Sequence, residues 1–129
     1  SRCVSIFARI MIALVAMLHL YIAWFGIFAW QAQGPATFPD LPASLFEPTT
    51  AMAANQGVYN LCVAAGLIWS LFIRNAEWQR KVASGFLLFV ATAGIFGAWR
   101  VSPDIALVQA GPAVIGLLLL WLPLSRTRQ

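Results

Sequence analysis

"TAMAANQGVYNLCVAAGLIWSLFI", residues 50–73, is the stretch whose reading decides the fold. It holds no Asp, Glu, Lys or Arg and is close to the ~20 residues that a helix needs to cross a bilayer. Yet Asn55, Gln56, Tyr59 and Asn60 crowd four polar side chains into six positions. Hydrocarbon tolerates such groups where they join helices or line a site. The chain around them decides the class. Apolar residues make up 61% and charged residues 9%, far from the roughly 25% charged of a soluble domain.

Three further apolar segments flank this one, at about 6–30, 82–99 and 105–124. Runs of this length are neither buried strands nor amphipathic surface helices. The expected fold is therefore all-α: one membrane domain over 1–129, an antiparallel bundle of four transmembrane helices. The expected outer loop, 31–49, contains Pro35, Pro39, Pro42 and Pro48, which forbid a long helix. Its Phe38, Leu41, Leu45 and Phe46 place it on the membrane surface or as a cap on the bundle. "RNAEWQRK" (74–81) and "RVSPD" (100–104) are short connections, so consecutive helices are expected as antiparallel neighbours.

Basic residues set the orientation. Arg2, Arg9, Arg74, Arg80, Lys81, Arg126 and Arg128 fall on one side of a four-span arrangement, and Arg100 alone falls on the other with Asp40, Glu47 and Asp104. This bias puts both termini in the cytoplasm, in a bacterial inner membrane. Trp30, Trp78 and Trp99 sit at span ends or in a loop, where interfacial indoles belong. A cleaved signal peptide is the rival reading of the first segment, but its apolar run is long and no A-x-A site follows. Cys3 and Cys62 lie at different expected depths, which makes an intrachain disulfide awkward. They read as small buried or interfacial residues. The scattered basic residues form no nucleic-acid patch.

The polar side chains share one half of the membrane. Asn60 is ten residues into the second span and His19 eleven from Trp30, so both are expected ~15 Å below the outer interface. Asn55, Gln56 and Gln109 come closer to that interface. His19, Ala23, Gly26 and Trp30 form one helical stripe; Asn55, Tyr59, Cys62 and Gly66 form another. Gln56 and Asn60 widen the second into an arc too broad for one helix seam. On the fourth span Gln109 shares a face with Ala113 and Gly116, beside Pro112. Gly94, Gly97 and Ala98 allow the third span to pack closely. Gly26, Gly66, Gly94, Gly97 and Gly116 thus read as packing positions.

The same residues can be structural glue, since intramembrane hydrogen bonds average only ~0.6 kcal/mol. Taken with His19, the cluster reads as a small hydrated pocket. Several chemistries lack their parts. No carboxylate, Lys or Arg is expected mid-span, which argues against a carboxylate-driven antiporter or a paired-carboxylate site. One histidine cannot supply bis-histidine haem ligation, nor a zinc site with two separated cysteines. There is no phosphate-cradling loop, and Ser70 and Ser84 lack a visible base. Neither cofactor nor metal is expected.

"HLYIAWFGIFAW" (19–30), "AANQGVYN" (53–60) followed by "LCVAAGLIWSL" (61–71), "AGIFGAWRVS" (93–102) and "LVQAGPAVIGLLLL" (107–120) occur in order over nearly the whole chain. Together they resemble the small bacterial membrane proteins grouped as domain of unknown function 1304. The "ANQGxYN" and "VQxxPA" pieces carry most of that likeness. The resemblance implies four spans and assigns no activity. His19, Tyr21, Trp30, Asn55, Gln56, Tyr59, Asn60 and Gln109 match its pattern. Relatives usually carry a glutamate seven residues after the histidine, and this chain has Gly26 there. Leu18 replaces a second acid often found just before the histidine.

These readings converge on a non-catalytic membrane subunit or binding protein. Its pocket, formed by His19, Tyr21, Asn55, Gln56, Tyr59, Asn60 and Gln109, would take a small amphipathic ligand. Its partners would be the lipid bilayer and either other membrane subunits or further copies of itself. The alternatives are an intramembrane isomerase or hydratase of lipid or isoprenoid-like substrates, with His19 as the catalytic proton carrier, and an oligomeric facilitator for small solutes.

Overall fold

The computed structural model describes residues 3–122, excepting the side chains of residues 105 and 106. Arg2, Arg126 and Arg128, on which part of the expected orientation rests, lie outside the described residues, as do the last positions of the fourth expected span. Every regular element among the described residues is helical: α1 (Ile6–Phe28), α2 (Trp30–Thr37), a 3-10 turn (Ala43–Leu45), α3 (Thr50–Phe72), α4 (Ala76–Arg100), the single turn α5 (Pro103–Ile105), a π segment (Ala106–Ala110) and α6 (Gly111–Trp121).

Local chemistry sets the helix ends. The Ser5 hydroxyl accepts from the Ala8 N–H at 3.1 Å, and the Asn75 side chain accepts from the Trp78 N–H at 3.0 Å. Both occupy N-cap positions and satisfy first-turn donors. Glu77 lies in the first turn of α4 and Arg100 in its last, each matching the sign of the helix dipole. The Gly97 carbonyl then accepts from both the Val101 and Ser102 N–H groups, closing α4, and Pro103 follows.

Two helices, Ile6–Phe28 and Ala76–Arg100, are long and apolar enough to cross a membrane. Helix α3 has the same length as α1, 23 residues, but Asn55, Gln56 and Asn60 dilute its apolar character. The Leu107–Trp121 stretch is apolar and shorter.

The chain divides into two compact units, one formed by the described residues up to Ala16 and from Ala65 onward, the other by Met17–Ala64. In the first unit, polar side chains tie helix ends. Gln79 is buried, and its amide donates to the carbonyls of Ser70 at 3.0 Å and Leu71 at 3.4 Å, in the last turn of α3. Arg80 Nε donates to the Leu120 carbonyl at 2.9 Å, at the end of α6, with its guanidinium 5.7 Å from the Trp121 ring. Trp121 Nε1 in turn donates to Ser84 Oγ at 2.7 Å. Carbonyls at helix C-termini have no intrahelical partner, and these side chains supply one. Gly66 lies against the Phe86 ring, and a Cβ on Gly94 would come 2.7 Å from the Ala110 nitrogen. A Cβ on Gly116 would meet Leu87 at 3.2 Å and Met11 at 3.4 Å. The pairs α3–α4 and α4–α6 therefore run antiparallel.

In the second unit α1 and α3 approach almost backbone to backbone. A Cβ on Gly26 would lie 2.7 Å from the Ala53 carbonyl oxygen, and one on Gly57 would lie 2.9 Å from that of Ala23. The loop between the helices is tied at its base. Trp30 Nε1 donates to Thr49 Oγ1 at 2.9 Å, and Gln31 Nε2 to Thr50 Oγ1 at 2.7 Å. Phe46, buried, packs its ring on Gly34.

Half of the buried apolar residues are alanines, while Phe7, Phe28, Phe72 and Trp99 are between 64% and 79% exposed. Small residues inside and large apolar residues outside are the packing pattern of helices solvated by lipid, and large exposed apolar area in water marks an interface.

Candidate functional site

An open-sided cavity of about 390 Å³ lies within the second unit. Its volume falls in the range of small-molecule sites, roughly 300–1,000 Å³. Ile22, Phe25 and Gly26 of α1 and Trp30 of α2 form one wall, and Phe38, Leu41 and Leu45 from the loop form a second. The N-terminal half of α3 completes it with Met52, Ala53, Gln56, Gly57 and Asn60, and Thr49 stands just before that helix. The close contact at Gly26 and Gly57 brings the two helices together at this level. The loop is therefore held across the gap that remains.

The walls are almost wholly apolar. Phe25, Trp30 and Phe38 form a ring cluster with centroids 5.9 to 6.2 Å apart, and Phe46 stands behind Trp30 at 5.0 Å. Two polar groups near the cavity are turned to the protein. The Trp30 N–H is held by Thr49, whose hydroxyl itself lies 2.8 Å from the Leu45 carbonyl. The Asn60 amide donates to the Gln56 carbonyl at 2.9 Å. No buried side-chain nitrogen or oxygen among the described residues lacks a hydrogen-bond partner, as the low dielectric of an interior demands.

Of the seven residues expected to share a pocket, the structure brings Gln56 and Asn60 to this cavity. His19 is buried, at 1% exposure, and does not line it. Tyr21 and Tyr59 are exposed on the outer faces of α1 and α3, and Asn55 is exposed as well. Gln109 belongs to the other unit, within the π segment. The cavity is thus more aromatic than the hydrated pocket expected from polar spacing. The loop wall has a sequence signal, since Phe38, Leu41 and Leu45 are among the apolar residues interleaved with the prolines of 31–49. The helix-end ties of Gln79, Arg80, Ser84 and Trp121 have none, because each joins residues that no periodicity relates.

The architecture is that of an all-α protein with two helices apolar and long enough for a membrane. The chain belongs to the family described as protein of unknown function (DUF1304), whose model matches residues 13–121. It is similar to the uncharacterized protein YpaA of Lactococcus lactis subsp. lactis (strain IL1403), with 25% identity over 116 residues that cover 88% of this chain and 96% of YpaA. No solved structure matches.

Proposed function

We propose that the protein is a non-catalytic integral membrane protein of the bacterial inner membrane that binds a small amphipathic molecule in the cavity of its second unit. Four apolar helices, α1, α3, α4 and the stretch ending in α6, would cross the bilayer with both termini cytoplasmic. The outward-facing large apolar residues support lipid around them. Arg9, Arg74, Arg80 and Lys81 support the orientation, with Asp40 and Glu47 on the outer loop. The observation that carries the reading is the open apolar cavity closed on one side by a tethered loop. None of its lining residues carries a titratable side chain, so it favours holding a molecule over moving its protons.

The test is to fill the chamber. Met52 lines it and is 69% exposed, so Met52→Trp enlarges a side chain that has room to turn. Native mass spectrometry from mild detergent should find a small molecule on the wild type and lose it in Met52→Trp, with helicity unchanged. Retention of the same molecule by the filled variant would move binding away from this cavity.

A further inference from the structure

We infer that the molecule held in the second unit is a lipophilic cation, with an aromatic or hydrocarbon body in the cavity and a positive group toward the loop. The inference rests on the binding role proposed above and narrows its chemistry. Apart from His19, the only charge-bearing side chains between Met17 and Ala64 are Asp40 and Glu47. Both are exposed, and both belong to the loop that forms one cavity wall. Asp40 adjoins Leu41, and Glu47 is two residues from both Leu45 and Thr49, all three of which line the chamber. No Lys or Arg in this unit balances them.

The wall itself favours the same sign of charge. Phe25, Trp30 and Phe38 present aromatic rings, whose negative faces attract cations and repel anions. The Trp30 N–H is engaged by Thr49 and an Asn60 amide N–H by the Gln56 carbonyl, and the Gln56 side chain offers an anion a neutral amide and no counter-charge. A fatty acid or phosphate ester would therefore bring its charge to a unit that holds no Lys or Arg and whose cavity-lining loop carries two carboxylates. A neutral lipid tail would fit the chamber and leave Asp40 and Glu47 irrelevant. That difference is measurable.

Tetraphenylphosphonium and tetraphenylborate have nearly the same size and shape and opposite charge. Equilibrium dialysis of the full chain in an uncharged detergent should show tighter binding of the phosphonium. In the double variant Asp40→Asn, Glu47→Gln its affinity should fall roughly fivefold, on the order of what two solvent-exposed charge pairs supply, and the wild-type preference should shrink at high salt. Both side chains are exposed, so the double variant should fold as the wild type does. Leu45→Trp, which fills the chamber, should weaken both ions. Equal binding of the two ions, or no change in the double variant, would overturn the cation inference and leave the binding site standing. Undiminished binding in Leu45→Trp would remove the site itself, and the inference with it.

Discussion

The two units solve the problem of a polar backbone among apolar side chains in different ways. The first uses long polar side chains as ties: Gln79 on the end of α3, Arg80 on the end of α6, and Trp121 on Ser84. The second makes its tightest contact with no side chain at all, at Gly26 and Gly57, and fills the remaining space with rings. The first unit also has a close glycine contact, Gly94 on the Ala110 nitrogen, but the cavity lies in the second, where rings and the loop line the space beside Gly26 and Gly57.

The contrast breaks most severely at Gly26. A glutamate there would drive its Cβ into the Ala53 carbonyl and place a carboxylate in a buried position. We expect Gly26→Glu to destabilise the second unit by about 3 kcal/mol or more. Hydrogen exchange would then rise in α2 and the first half of α3, while the amides at the middle of α4 stay protected. Uniform exposure of both units would mean that they do not behave separately. Gln79→Leu attacks the other strategy. It removes the side-chain donor from both the Ser70 and Leu71 carbonyls, leaving Ser70 with the Ile73 N–H at 3.3 Å, at a cost of about 2 kcal/mol, readable as a lower midpoint of unfolding in a denaturing detergent.

Two smaller changes sharpen the comparison. Thr49→Val removes the acceptor of the Trp30 indole and should cost about 1 kcal/mol, with a shift in tryptophan emission as its spectroscopic sign. The smallest effect is expected at Lys81, whose ion pair with Glu77 at 3.0 Å is exposed on α4. Lys81→Gln should leave the unfolding midpoint unchanged, because solvent-exposed pairs contribute little. A clear loss there would show that surface charge braces the first unit as well.

Long apolar runs make the helices legible in the sequence, and the prolines of 31–49 mark the one extended connection. That loop also contains α2, since a proline within the first turns of a short helix removes few hydrogen bonds. The site is less legible. Helical phase groups Gln109 with Ala113 and Gly116 on one face, but the π segment Ala106–Ala110 interrupts the 3.6-residue period between them. Asn60 reads as a pocket group and lines the cavity, with its amide donating to its own helix. Spacing gives the direction of a Cα–Cβ bond and not the partner that a flexible amide selects. Gly26 is legible as a packing position on its stripe. The depth of its contact with Ala53 depends on a second helix whose position periodicity does not supply.

Gln79 and Arg80 are adjacent, yet their bonds close loops of very different size: nine residues back to Ser70 and forty forward to Leu120. Closing the longer loop costs about 1 kcal/mol more chain entropy. On a ribosome, which makes the chain from its N-terminus, the difference also becomes an order of events. The hairpin of α3 and α4 can lock as soon as its turn has been synthesised. The clamp on α6 must wait until Leu120 itself has been made, so α6 is joined to a scaffold whose preceding corner is already set.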